Sequence, residues 1–409
     1  MYSAARWESA MAPNYTTPAL QLVSGKGCKV TDSEGRTYLD LLAGIAVSSL
    51  GHGHPDLVRA VSTQVGLLAH TSNLYANGPS VRLAERLQAK TESFAGVGYK
   101  AIFQNSGTEA NEVALKLVRR HAHHAGIKDG VVLTFDNSFH GRTMGALTLT
   151  AQPHYHEGYD PLLPGVAYVP FNDPAALEKA FEQHRVAGVF FESVQGEGGV
   201  LPMDKETAHT LGKLTARHDA LLVADEVQTG VGRTGRFFGF EHDGLVPDAL
   251  TLAKGLGGGL PVGAILIHPK RAPLFAPGAH GTTFGGNPVA CAAGNAVLDV
   301  LERDALVPKA ARLGERFMAE VREQGQEAGI GARGRGLLVG VPLSSPNAPK
   351  AVEALRGKGI LVGQAGKSVL RIAPPLIVSE DDLMGAVPAL VEAAATAQAK
   401  PVAPPPTAV

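Results

Sequence analysis

From about position 100 onward, short runs of consecutive apolar residues alternate with longer stretches in which apolar residues recur every three or four positions. Continuous runs suit strands buried on both faces and the longer spacing suits helices lying against them, so the pattern predicts βαβ units around a mostly parallel, doubly wound sheet. The predicted strands span 101–104, 131–135, 166–169, 186–191, 221–224, 249–253 and 262–267. Between the first two, a helix over 109–119 gathers Ala110, Val113, Ala114 and Leu117 on one face. A long helix over 289–303 follows Asn287-Pro288, and a second βα pattern then places strands at 337–341, 360–362 and 369–372. Near the N-terminus, apolar alternation on either side of Asp32-Ser33-Glu34-Gly35 predicts a hairpin. The expected organisation is an α/β protein with an N-terminal segment (1–55) joined to a smaller domain (301–398), a large domain (56–300), and a proline-rich, disordered tail (399–409).

Composition narrows the class. With 409 residues, 44% of them hydrophobic and 18% charged, the chain can bury sizeable cores. Its 37 Lys and Arg balance 38 Asp and Glu, so no basic excess exists to bind nucleic acid or an anionic membrane. Cys28 and Cys291 lie far apart and form no metal pair or disulfide framework, which fits a reducing cytoplasm. No apolar run reaches signal-peptide or membrane-spanning character, because the longest candidate, 252–267, contains Lys254 and a glycine run. The 49 glycines follow no collagen period and suit tight turns and close approach of backbone to a small ligand.

Three polar features stand at predicted C-terminal strand ends, the edge where open α/β sheets bind ligands. Asn105-Ser106-Gly107-Thr108 opens a helix and suits a phosphate at its free N–H groups, or simply caps that helix. Asp225 ends a strand, where a carboxylate can serve as an ion-pair partner, a metal ligand or the counter-charge of a protonated heteroaromatic ring. Lys254 closes another strand ahead of Gly255-Leu256-Gly257-Gly258-Gly259; there it is either a loop lysine or a desolvated amine able to attack a carbonyl. Leu260 occupies the last place of a would-be GxGxxG, so no dinucleotide fingerprint is present. Gly366-Lys367-Ser368 reads as a hairpin turn. His121, His123 and His124 read as surface histidines at a helix end, and His52 and His54 as a tight turn with no carboxylate near them. No metal site is expected.

Jointly with Asn137-Ser138-Phe139-His140-Gly141-Arg142-Thr143, Gln195-Gly196-Glu197-Gly198-Gly199, Asp225-Glu226-Val227-Gln228-Thr229-Gly230 and Gly281-Thr282-Thr283-Phe284-Gly285-Gly286-Asn287-Pro288, these residues resemble the class III pyridoxal-phosphate aminotransferases, over about residues 14 to 395. The resemblance implies a fold-type I homodimer with shared active sites and pyridoxal 5'-phosphate as cofactor. It assigns Lys254 as nucleophile and proton shuttle, Asp225 as partner of the ring nitrogen, Gln228 at the phenolic oxygen and Phe139 on the ring face. It gives Ser106, Gly107 and Thr108 to the phosphate, with Thr283 arriving from the neighbouring subunit.

By the same resemblance Arg142 takes the donor's α-carboxylate and Arg371 that of 2-oxoglutarate, with Glu197 masking Arg371 while the donor is bound. Tyr15 and Ile45 are implied substrate contacts. Residues 39–55, 70–75 and 370–376 are most similar to members acting on N-acetyl-L-ornithine, and Ile45, where ornithine-specific members carry tyrosine, favours an acetamide over a bare ammonium. The implied reaction moves a δ-amino group to 2-oxoglutarate in arginine biosynthesis. Alternatives are ornithine, 4-aminobutyrate, succinyl-diaminopimelate or a lysine derivative as donor, an aminomutase, or a non-enzymatic cofactor-binding protein. One departure stands out: Ser193 replaces the proline usual after the glutamate of Phe191-Glu192, on the loop leading to Glu197.

Overall fold

A computed structural model describes residues 4–398. The tail expected to be disordered lies outside the described residues. Its central feature is a seven-stranded sheet in the order Lys100–Gln104, Gly263–Ile267, Ala249–Leu252, Leu221–Asp225, Val186–Phe191, Val131–Phe135, Val166–Val169. Gly263–Ile267 runs antiparallel to both its neighbours and the remaining pairings are parallel. Every residue of Val186–Phe191 and Leu221–Asp225 is buried, as expected for central strands covered by helices on both faces. The predicted strands recur within a residue or two of their expected ends.

The helix Gly107–His124 crosses one face of this sheet and buries Val113, Leu117 and His121, which lie four residues apart. His121 is therefore not on the surface as expected. It continues the apolar stripe and donates from Nε2 to the Asp219 carbonyl at 2.6 Å. The long helix Pro288–Arg303 begins on Asn287, whose side chain accepts from the Ala290 N–H, and packs against Pro55–Leu67 and Gly78–Ala95.

Two four-stranded sheets and one two-stranded pairing, Val194–Gln195 with Leu201–Pro202, complete the sheet structure of the described residues. One orders Arg333–Arg335, Leu338–Pro342, Val369–Ile372 and Gly363–Ala365, all pairs antiparallel, with Gly366-Lys367-Ser368 as a hairpin turn. The other four-stranded sheet runs from Leu22–Lys26 through the N-terminal hairpin, Lys29–Asp32 with Thr37–Asp40, to Ile360–Leu361, the last by a parallel pairing of Leu39 with Ile360. Among the described residues, no helix is long and apolar enough to cross a membrane.

After the hairpin the chain makes a left-handed turn: Ala43, Gly44, Ile45 and Ala46 all have φ between 52° and 67°. Such backbone costs about 1–2 kcal/mol per non-glycine residue. It is held by Asp40, whose Oδ1 accepts from the N–H of Leu42 at 3.0 Å and of Ala43 at 2.8 Å, while Oδ2 meets His52 Nε2 at 2.8 Å. The expectation that His52 has no carboxylate neighbour is thus wrong, because the hairpin returns Asp40 to it. His54 instead caps the next helix by accepting from the Asp56 N–H. Ser49 anchors the turn to the segment after Lys254 by donating to the Gly255 carbonyl at 2.9 Å.

Candidate active site

The parallel strands end together at one sheet edge, so the loops after Gln104, Phe135, Phe191, Asp225 and Leu252 all leave from the same place. They enclose a cavity of about 430 Å³ lined by Ser106, Gly107, Thr108, Phe139, Arg142, Glu192, Glu197, Asp225, Gln228 and Lys254. Residues separated by as many as 215 positions in the chain, from Val47 to Val262, are thereby gathered at the point where ligands meet doubly wound sheets.

Lys254 follows Ala249–Leu252 with φ +40°, a strained value that directs the chain sharply away from the strand. Burial above all, with Arg371 acting in the same sense and Glu197, Asp225 and Glu192 opposing, lowers its pKa to about 8. About a tenth of its amine is consequently neutral at pH 7, far more than for an ordinary lysine. Glu192 is itself buried, which pushes its carboxyl well above the ordinary range, with the Asp225 charge acting in the same sense. Its Oε2 accepts from the Phe139 N–H at 3.3 Å.

Asp225 is buried in a network that sequence alone did not disclose. Its Oδ2 accepts from His140 Nδ1 and from Asn111 Nδ2, both at 2.7 Å, and its Oδ1 accepts from the Val227 N–H at 3.0 Å. With Asp225 ionised, His140 carries its proton on Nδ1 and accepts at Nε2 from Thr134 at 3.1 Å. Asn111 also donates to the His140 carbonyl and accepts from Thr251 at 2.9 Å. Three donors on one carboxylate fix its orientation.

The helix Gly107–His124 aims its N-terminus at the cavity. Ser106 caps it by accepting from the Glu109 N–H at 3.2 Å, and Glu109 returns to accept from the Asn105 N–H at 2.6 Å. As at any helix start, the N–H groups of Gly107 and Thr108 have no carbonyl within the helix, so an anion is favoured there. Thr108 Oγ1 also accepts from the N–H groups of Arg142 and Thr143. Gly141 makes this possible, since a Cβ at that position would stand 2.2 Å from Thr108 Oγ1.

Arg371, on the strand Val369–Ile372, is buried and forms an ion pair with Glu197 through Nη1, which also lies 3.4 Å from the Gly196 carbonyl and from Gln228 Oε1. Its buried Nε has no partner and is left as a donor for another group. At the serine of position 193 the backbone carbonyl accepts from the Met203 N–H at 3.0 Å, and the buried hydroxyl is unpartnered. Arg142 lines the cavity from the exposed side. Tyr15, Ile45 and Thr283 do not line it within this chain and are exposed; Arg371 does not line it either but is buried against Glu197, which does, as does Val47, two residues beyond Ile45.

The donor set fits pyridoxal phosphate: a neutralisable lysine for an aldehyde, a buried carboxylate for a ring nitrogen and a helix N-terminus for a phosphate. Among the described residues, no group of three His, Cys, Asp or Glu side chains is placed to hold a metal ion. Glu192, Asn111, His140 and Val47 are among the lining residues to which sequence reasoning gave no role; His140 and Glu192 stood inside recognised motifs, whereas Asn111 carried no signal beyond its helix.

Residues 10–394 match the family model described as Aminotransferase class-III. The chain is 48% identical over 393 residues to a Mycolicibacterium smegmatis protein named acetylornithine aminotransferase, covering 95% of this chain and 98% of that one. A protein of the same name from Caldanaerobacter subterraneus is 46% identical over 372 residues, 90% of this chain and 93% of its own. Among solved structures, N-acetylornithine aminotransferase from Stenotrophomonas maltophilia is 36% identical with a TM-score of 0.82, covering 96% of this chain and 99% of that one. The ornithine aminotransferase of Toxoplasma gondii is 32% identical with a TM-score of 0.90, covering 96% and 95%.

Proposed function

The chain belongs to the class-III aminotransferases, and on that premise we propose that it uses pyridoxal 5'-phosphate to move the δ-amino group of N-acetyl-L-ornithine to 2-oxoglutarate, yielding N-acetyl-L-glutamate 5-semialdehyde and L-glutamate, in arginine biosynthesis. The observation that carries this reading is one cavity lined by Lys254, Asp225 and Glu197, with the buried Arg371 ion-paired to that Glu197 and Arg142 at the open side. The relatives' names supply the donor.

When bound, the cofactor supplies an aldehyde for the amino group and an electron-withdrawing ring. Lys254 Nζ, as a neutral amine, would hold the aldehyde and, once displaced by the donor's amine, would carry a proton between the reacting carbons. Asp225 would pair with the ring nitrogen. Gln228, whose Oε1 faces Arg371, keeps its amide N–H groups free for the phenolic oxygen. Phe139 covers the ring face, and Ser106, Gly107 and Thr108 hold the phosphate.

Arg142 takes the donor's α-carboxylate, so the distal amine faces Lys254. Glu197 neutralises Arg371 while a donor with one carboxylate is bound; when 2-oxoglutarate enters, Glu197 yields and the Arg371 fork takes the α-carboxylate. That exchange lets one pocket accept both partners, and an aminomutase, which needs no external acceptor, has no use for it. Ile45 and Tyr15, exposed and outside the cavity lining, would contact the acetylated end where the donor extends beyond the cavity. We also read the exposed Leu74 (85% exposed), Tyr75 (71% exposed) and Phe284 as part of a homodimer face that brings Thr283 to the neighbour's phosphate site, and place the enzyme in the cytoplasm.

The test is a half-reaction with holoenzyme and no keto acid. N-acetylornithine should bleach the visible cofactor band faster than ornithine or 4-aminobutyrate. Faster bleaching by either rival overturns the donor assignment, and no bleaching by any donor overturns the aminotransferase reading itself. Lys254 adds a pH prediction. Only its neutral form attacks, so pyridoxal phosphate capture by cofactor-stripped protein should accelerate as pH rises, reach half its limit near pH 8 and level off above, as followed by stopped-flow absorbance.

A further inference from the structure

We propose that Tyr155 is a positioning residue that sets the Arg142 guanidinium for the donor's α-carboxylate; the inference rests on the reading of Arg142 given above. The guanidinium carbon of Arg142 lies 3.6 Å from the centroid of the Tyr155 ring. The same ring meets Phe139 edge-on, with centroids 6.0 Å apart and planes at 79°, and Arg142 is 5.8 Å from the Phe139 centroid. Arg142 lines the cavity whereas Tyr155 does not, so the tyrosine stands behind the arginine.

Among the described residues, Arg142 has no carboxylate within ion-pair distance. An ion pair would occupy the in-plane N–H groups that a substrate carboxylate needs. A ring against the flat face holds the guanidinium while leaving that fork open. An exposed, long side chain held in this way loses less freedom when the carboxylate arrives.

The tyrosine is itself anchored. It sits in the short helix Pro153–His156, and the residues on either side pin that helix to the loop carrying Phe139 and Arg142 and to the helix after it. Gln152 Nε2 donates to the carbonyls of Asn137 at 3.2 Å and Ser138 at 3.1 Å. His156 Nε2 donates to the carbonyls of Leu147 at 3.1 Å and Thr150 at 2.6 Å. The Tyr155 face is thus fixed relative to both the ring-stacking residue and the carboxylate-binding one.

The experiment compares two donors in the holoenzyme: N-acetylornithine and N-acetyl-1,4-diaminobutane, which differs only by lacking the α-carboxylate. General damage lowers kcat/KM for both alike, whereas loss of carboxylate positioning lowers their ratio. Tyr155→Leu, with Tyr155→Ala as a second truncation, should cut the ratio about tenfold through the KM for N-acetylornithine. Tyr155→Phe, which keeps the ring face, should restore it, and the KM for 2-oxoglutarate should stay within about twofold throughout. An unchanged ratio in the truncations, or a Tyr155→Phe as impaired as Tyr155→Leu, overturns the proposal. Arg142→Gln separates the two levels: if it too leaves the ratio unchanged, the reading of Arg142 falls and this one with it, whereas if it lowers the ratio and Tyr155→Leu does not, only the role of Tyr155 falls.

Discussion

Replacing Lys254 with alanine should lower kcat by at least about 10⁴-fold and abolish the visible band that reports cofactor joined to the protein. The size of the effect follows from two tasks resting on one amine. As a nucleophile, Lys254 depends on a pKa brought down to about 8 by burial, and no neighbouring group can replace it, since Glu192, Glu197 and Asp225 are carboxyls and Arg371 is a guanidinium. As a proton carrier it must reach both reacting carbons, and general acid–base transfer alone contributes about 10²- to 10⁴-fold. Lys254→Arg should be nearly as inactive, because a guanidinium does not become neutral at working pH. Steady-state kinetics together with the absorption spectrum check this. Normal turnover with an intact band in Lys254→Ala would remove the lysine from the mechanism.

Legibility in the sequence divided along a physical line. Continuous apolar runs such as 186–191 and 221–224 signalled buried strands, and a single polar residue ending such a run, Asp225, or closing it, Lys254, stood out against that background. Both features are local. The network that fixes Asp225 was hidden, because Asn111, His140 and Thr134 come from three other elements that meet it only after the sheet is ordered. His121 misled for a related reason: its type suggested surface, while its spacing from Val113 and Leu117 placed it on the buried stripe. The left-handed turn at 43–46 could not be read from Ala-Gly-Ile-Ala, since alanine and isoleucine avoid positive φ, and what enforces it is Asp40 from the preceding strand. Tyr155 lies in a helix too short to carry a period.

Asp225→Asn should lower kcat by about 10²- to 10³-fold while keeping the visible band, the converse of the lysine result. The carboxylate and the amide have the same shape, so packing survives, but the surroundings were built for an acceptor. His140 Nδ1 and Asn111 Nδ2 converge on Oδ2 and the Val227 N–H on Oδ1, so whichever way the amide turns, its NH₂ meets at least one donor. The larger loss is electrostatic. An opposite charge at contact distance raises the proton affinity of a ring nitrogen by roughly 1–3 pKa units, and removing it lowers the protonated fraction by up to the corresponding factor. Lys254 is untouched, so cofactor should still attach and the KM of each substrate should change only a few-fold. The proton that Asp225 holds in place must then come from solvent, so residual activity of Asp225→Asn should rise as pH falls, relative to the wild-type profile. Single-turnover rates for both half-reactions across pH measure this directly. Wild-type rates in the variant would mean that Asp225 serves the fold of the sheet edge and not the electronics of the reaction.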